Sequence, residues 1–184
     1  MQVLLVEILE GCKKGSTKAQ RSLFDFYYKA MLTICIRYVT ETTEAEDLLS
    51  EGFTKVFKNI SKFQNEHEYG LQGWIKKIMI NECLMFLRKK NNFYLVPLSE
   101  ADEIAITDVQ LEQIDANYIY QSIAELPVGY RTVLNLYVIE GYSHSEIGGL
   151  LNIKEATSRS QLNKAKEALK HKLLPYKSIN YGKR

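Results

Sequence analysis

Between Gly141 and Leu174 the chain reads GYSHSEIGGLLNIKEATSRSQLNKAKEALKHKLL, a pattern that leaves few folds open. Ser143 and Glu146 have the spacing of a capping box, which opens a short helix running through Leu151. Asn152, Ile153 and Lys154 then make a tight turn, and a longer helix is expected from Glu155 to about Leu174. Ile147, Leu151, Ile153, Leu162, Ala165 and Leu169 would pack the two helices together at a steep angle. Lys154, Glu155, Arg159, Ser160, Asn163 and Lys164 are then left on the outer face, around the start of the second helix, where a helix-turn-helix meets base edges in the major groove. A guanidinium such as that of Arg159 reads guanine in bidentate fashion, and an amide such as that of Asn163 reads adenine. Lys166, Lys170 and Lys172 follow as phosphate partners or solvated charges. Gly148 and Gly149 run against this pattern, since each costs ~1 kcal/mol relative to Ala inside a helix. Close approach of the second helix accounts for one of them at most.

The remainder of the chain points to an all-α protein, because its apolar residues recur at helical spacing and period-two alternation is nearly absent. A helix from Ser16, its N-cap, to about Val39 would bury Leu23, Phe24, Tyr27, Ala30, Met31, Ile34, Cys35 and Tyr38. Thr43 and Glu46 have the form of a second capping box, followed by the stripe Leu48, Leu49, Phe53, Val56 and Phe57 down to about Ile60. A polar loop from Ser61 to Gly70 precedes a long helix from about Leu71 to Lys90, ending in Arg88-Lys89-Lys90. Residues Asn91 to about Glu112 mix Pro97 and several acids without a period and are expected to be a linker. A helix near Glu112–Glu125, a break at Leu126-Pro127 and a helix to about Glu140 complete the second half. The expected organisation is two small helical domains, an N-terminal bundle at 1–92 and a four-helix helix-turn-helix domain at 112–184, joined by an acidic linker at 93–111.

Charge is distributed to match. Residues 1–90 hold 14 Lys/Arg against 11 Asp/Glu, residues 91–130 none against 7, and residues 131–184 hold 10 against 4. Two mildly basic segments flanking an acidic one suggest two surfaces facing a polyanion, joined by a segment that must not adhere to it. No stretch approaches the ~20 uncharged apolar residues of a membrane span, and the N-terminus lacks the pattern of a secretory signal, so a cytoplasmic protein without membrane insertion is expected. Cys12, Cys35 and Cys83 are widely spaced and are expected as small core residues rather than zinc ligands or disulfides.

With these motifs in place, the whole chain resembles the extracytoplasmic-function (ECF) sigma factors of bacterial RNA polymerase, within the sigma-70 family. The resemblance is carried in the second half by Leu126-Pro127, Arg131, Val133-Leu134, Glu140-Gly141, Glu146-Ile147 and Thr157, Leu162, Ala165. In the first half it rests on Ala45-Glu46-Asp47-Leu48, Phe53, Phe57, Trp74, Asn81 and Arg88-Lys89. Ser50, Gly148, Ser158 and the pair Asn163-Lys164 depart from the usual family residues. The resemblance implies that the helix with Glu46, Asp47, Leu48, Glu51 and Phe53 docks on core RNA polymerase. It implies that Phe63, Gln64, Asn65, Tyr69, Lys77, Asn81, Arg88 and Lys89 engage the melted −10 element of promoter DNA. Aromatic stacking and polar edges suit flipped bases, and Lys76 and the terminal cations suit phosphates. Trp74 is expected in the core rather than as a stacking platform. The −35 element would be read by Lys154, Glu155, Arg159, Ser160, Asn163 and Lys164, and the acidic linker would thread the RNA exit path. An anti-sigma partner is common in the family.

No catalytic group, cofactor or metal site is expected. A carboxylate cluster of Glu44, Glu46, Asp47 and Glu51 in a helical nuclease is the enzymatic alternative, disfavoured because these acids sit in the first turns of one helix without a His. An autonomous helix-turn-helix regulator with an N-terminal sensing or dimerisation domain is the other alternative, and it would require a palindromic operator.

Overall fold

A computed structural model of the chain describes residues 2–64, 68–90 and 115–181, with side chains placed over 5–64, 70–90 and 115–173. The linker expected at 93–111 and the site residues Asn65 and Tyr69 (side chain) lie outside this description. Among the described residues every regular element is helical. The chain divides into two compact units, Met1–Lys90 and Asn91–Arg184.

The first unit contains α1 (Gln2–Lys13), α2 (Thr17–Val39), α3 (Thr42–Asn59), a 3-10 turn (Ile60–Lys62) and α4 (Glu68–Lys89). Helix α2 starts where the sequence places it: the Ser16 hydroxyl accepts a hydrogen bond from the Ala19 N–H. The start of α3 differs from expectation. Thr40 leaves α2 at φ 65°, the Glu41 N–H turns back to the Val39 carbonyl at 2.8 Å, and α3 begins at Thr42 with Glu41 in the cap position. Thr43 therefore lies inside the first turn, and the Thr43–Glu46 capping box does not form. The polar loop is also shorter than expected, because the 3-10 turn absorbs its beginning and α4 starts at Glu68.

Helix α1 was absent from the sequence expectation, although Leu5, Leu9 and Cys12 follow three-four spacing and are buried. It approaches α2 at Gly11, where an added Cβ would stand 2.6 Å from the Ala19 Cβ. Leu23, Tyr27, Met31, Ile34, Cys35 and Tyr38 of α2 form the core with Leu48, Leu49, Phe53 and Val56 of α3 and Ile75, Met79, Cys83 and Leu84 of α4. Ala30, expected on the same stripe, faces solvent. The three cysteines are free and buried. Helices α3 and α4 also share one charged contact: Glu82, only 5 % exposed, accepts from Lys55 Nζ at 2.5 Å. A buried carboxylate without that ammonium would carry an uncompensated desolvation cost.

The second unit contains α5 (Ala116–Ala124), α6 (Val128–Leu134), a π-helical turn (Asn135–Ile139), α7 (His144–Leu151) and α8 (Glu155–Tyr181). Asp115 caps α5, its carboxylate accepting from the Asn117 N–H at 2.8 Å. Pro127 occupies the N-cap of α6, where its missing N–H costs nothing. The corner between α5 and α6 is tied by Arg131, which is buried and donates from Nη1 to the carbonyls of Ala124 at 2.7 Å and Leu126 at 3.0 Å. The helix expected to run on to Glu140 changes pitch instead: the Glu140 N–H bonds the Asn135 carbonyl, five residues back. Replacing Arg131 with Met keeps the bulk but removes the donors from both carbonyls. The expected loss is about 2 kcal/mol or more, read as a lower urea midpoint for the second unit of the full chain.

Candidate nucleic-acid interface

The helix-turn-helix is assembled by backbone and cap contacts that the sequence specifies locally. At the start of α7 the capping box forms in full: the Ser143 hydroxyl accepts from the Glu146 N–H, and Glu146 Oε2 accepts from the Ser143 N–H at 2.8 Å and hydroxyl at 2.7 Å. The backbone hydrogen bond from Ser143, with the hydroxyl bond second, holds the Glu146 carboxyl below the usual carboxylate range. At the other end Asn152 adopts the left-handed conformation, φ 55° and ψ 48°, and its N–H bonds the Gly148 carbonyl. The Ile153 N–H reaches the same carbonyl at 3.0 Å.

Gly148 and Gly149 separate cleanly. A Cβ on Gly148 would meet the Ile153 carbonyl oxygen at 2.9 Å, whereas one on Gly149 would meet nothing within 4 Å. The turn into α8 therefore passes directly over Gly148. Ile147, Leu151, Leu162 and Ala165 fill the space between the helices, with Ile153 and Leu169 half-buried beside them.

This packing leaves Lys154, Glu155, Arg159 and Asn163 exposed, with Ser160 and Lys164 half-buried. Arg159 does not project alone: its Nη2 donates to Glu155 Oε1 at 2.5 Å, one turn back. A base edge or phosphate engaging Arg159 would compete with that carboxylate. Behind this face stands a pair absent from the sequence expectation. His144 Nδ1 lies 2.9 Å from Ser158 Oγ, both residues are buried, and the imidazole stacks on Tyr137 with ring centroids 4.3 Å apart. Burial, then the Arg159 guanidinium, hold the His144 pKa below the ordinary histidine value; Lys166 adds to this and Glu155 opposes it. Nothing in the spacing of the two residues singles them out, though a Ser facing inward on an apolar stripe is itself a signal.

In the first unit the expected residues fall into two groups. Glu46, Asp47 and Glu51 are exposed on α3, while Leu48 and Phe53 point inward and are 4 % and 2 % exposed. The Phe53 ring packs edge-on against Phe24, centroids 4.8 Å apart. Between α3 and α4 runs a groove lined by Asp47, Glu51, Met85, Phe86 and Lys89. Lys89 thus lines the same groove as the carboxylates Asp47 and Glu51. Lys90 is also directed there, through an ion pair with Glu44.

Phe63 is buried against Trp74, ring centroids 5.1 Å apart, and Trp74 itself is only half-buried. Trp74 is therefore less enclosed than expected and Phe63 more so, because each ring covers one face of the other. Gln64, Lys77 and Arg88 are exposed, and Asn81 and Lys76 are half-buried. Among the described residues no three His, Cys, Asp or Glu side chains converge to hold a metal ion, and no helix is long and apolar enough to cross a membrane.

Comparison with known proteins gives one consistent result. Residues 23–93 match the family described as Sigma-70 region 2, and residues 116–169 match that described as Sigma-70, region 4. The chain is 28% identical to the ECF RNA polymerase sigma factor SigW of Bacillus subtilis, over 94% of this chain and 98% of that one. It is 25% identical to the RNA polymerase sigma-H factor of Pseudomonas aeruginosa, over 92% and 93% of the two chains. Among solved structures, the sigma factor RpoE of Bartonella quintana, in co-crystal with the anti-sigma factor NepR, has a similar fold. The TM-score is 0.51 at 19% identity, covering 83% of this chain and 95% of that one.

The two glycines of α7 supply a direct check on the geometry of the turn. Gly149→Ala is expected to raise stability by about 0.5–1 kcal/mol through helix propensity alone. Gly148→Ala is expected to lower it by more than about 1 kcal/mol, because backbone must move. Thermal unfolding of the full chain separates the two signs.

Proposed function

Because this chain belongs to the sigma-70 family, in its ECF group, with region 2 and region 4 present in that order, we propose that it directs RNA polymerase to specific promoters. The observation that carries this is the outward face at the start of α8, Lys154, Glu155, Arg159 and Asn163, held on a helix-turn-helix whose first helix is capped at both ends. Such a face suits the major groove of a −35 element, with Arg159 and Asn163 as readers of base edges. The carboxylates Glu46, Asp47 and Glu51 on α3 are offered as the docking face for core polymerase. Leu48 and Phe53 would act there from beneath, by holding the helix in place.

In the same proposal the segment from Phe63 through α4 captures the −10 element once it has melted. Gln64, Asn65, Tyr69 and Asn81 supply polar and aromatic edges, and the Phe63–Trp74 pair forms the floor. Lys77 and Arg88 contribute phosphate neutralisation, which is salt-sensitive and independent of sequence. Lys89 joins them as a −10 phosphate contact, at the end of α4 where it also lines the groove beside Asp47 and Glu51. The work is recruitment and recognition, with bond formation left to the polymerase in the cytoplasm. An anti-sigma partner belongs to this proposal, as in the Bartonella complex. No specific observation favours the autonomous regulator.

Arg159→Ala is expected to reduce preference for the −35 sequence by roughly 5- to 150-fold, the effect of about 1–3 kcal/mol, while leaving polymerase binding intact. Run-off transcription from matched and scrambled −35 promoters measures it, and unchanged preference would sink the assignment. Reversing Asp47 and Glu51 to Lys should give the opposite profile. Polymerase co-purification falls by about tenfold or more through like-charge repulsion, with −35 recognition preserved.

A further inference from the structure

Between α7 and α8 two buried polar side chains meet beside Ile147, Leu151 and Leu162. His144 is the first residue of α7, Ser158 precedes Arg159 on α8, and their side chains meet at 2.9 Å with 8 % and 0 % of each residue exposed. Tyr137, from the π-helical turn, covers the imidazole at an interplanar angle of 17°. One hydrogen-bonded ring thus joins the π turn, the first helix and the recognition helix. A buried polar pair of this kind is directional, whereas the Ile147, Leu151 and Leu162 contacts around it would tolerate sliding.

We propose that the His144–Ser158 hydrogen bond is the register lock of the recognition helix, making promoter discrimination by Arg159 depend on a neutral imidazole at position 144. This rests on the promoter-reading function proposed above. Bidentate base recognition tolerates displacements on the order of 0.5 Å, and Arg159 is the next residue after the locked serine. A neutral ring can accept the Ser158 hydroxyl proton at Nδ1, whereas a protonated ring can only donate there, so the bond would have to reverse around a buried cation beside Arg159 and Lys166. Protonation would also place a cation at the positive end of the α7 dipole. The groups facing the ring are Tyr137 from the π turn and Glu155, Arg159 and Lys166 from α8. Of these the lone carboxylate, Glu155, is already engaged by Arg159. His144 acts as a positioning residue, since the DNA contacts are made by its neighbours.

The test uses the full chain bound to core RNA polymerase and a promoter library randomised over the −35 positions, read as enrichment of the preferred sequence over scrambled sequence. Wild-type enrichment is expected to hold near neutral pH and to fall, by up to about tenfold, only as the pH drops below the ordinary histidine value of about 6.5, since the folded-state pKa of His144 is lowered. Ser158→Val, which strands the buried ring, should lose about tenfold at the higher pH, the effect of one neutral hydrogen bond. His144→Asn, which can still bond Ser158 but does not titrate, should keep enrichment within about threefold of wild type and be flat with pH. The apolar double variant H144L/S158V should likewise be flat.

Thermal melting without DNA reads the same bond independently. Because the folded-state pKa of His144 lies below its unfolded value, stability is lost as pH falls from the ordinary histidine range toward the folded value. That loss should be present in wild type and absent in His144→Asn. Wild-type enrichment in Ser158→Val, a pH dependence that survives in His144→Asn, or equal loss in every variant would each overturn the inference. Absence of any sequence preference in the wild-type chain on polymerase would instead overturn the promoter function itself. The melting profile would then show whether the lock exists without it.

Discussion

The recognition half of this protein depends on the carbonyl of Ile153 lying over Gly148. The Gly148 carbonyl collects the N–H groups of both Asn152 and Ile153, and its missing side chain admits the Ile153 oxygen to a place where a Cβ would stand 2.9 Å away. With the left-handed Asn152 completing the turn, the direction in which α8 departs is set by backbone geometry before any side chain is considered. Side-chain packing then refines what the turn has fixed. Ile147, Leu151, Leu162 and Ala165 close the interior, and Arg159 and Asn163 are left outside.

The first unit solves a different problem, since α3 must serve two surfaces at once. Its inward residues Leu48, Leu49, Phe53 and Val56 meet α2 and α4, while Asp47 and Glu51 border the groove against α4. The Lys55–Glu82 pair holds α3 and α4 together at depth, and Gly52 lets them approach there: a Cβ at Gly52 would fall 2.4 Å from the Met79 sulfur. The acidic face stands on a helix whose opposite side is committed to the core. That division separates the exposed carboxylates from the folding core at the level of individual residues. A charge can be reversed on the rim without removing any apolar contact that stabilises the bundle.

Much of this was legible in the sequence, and the failures have identifiable causes. Ser16, Ser143–Glu146 and the Asn152–Lys154 turn are local signals whose partners lie within a few residues, and each formed as expected. Thr43–Glu46 has the same local form but lost to its context, since the tight exit from α2 through Thr40 moved the helix start ahead of Thr43. Helix α1 carries only a short apolar spacing, Leu5, Leu9 and Cys12, without a capping signal at its start. The choice between Gly148 and Gly149 needed the position of a carbonyl, and the His144–Ser158 contact needed the crossing of two helices; neither is encoded in spacing along one strand of chain. The same holds for Phe63 and Trp74, whose mutual stacking decides how much of each ring is available. The π turn left no trace, because its apolar residues satisfy an α-helical period equally well.

That π turn shifts the phase of everything after it. Fitting an additional residue between α6 and Gly141 turns the following side chains relative to the α6 face, so Tyr137, Val138 and Ile139 emerge toward solvent while Val133, Leu134 and Leu136 stay inside. The shift also brings the Tyr137 ring onto His144. The spacing between the buried corner at Arg131 and α8 is therefore counted in residues as well as in ångströms. Lengthening or shortening this stretch by one would alter the angular setting of α8 while leaving its side chains untouched.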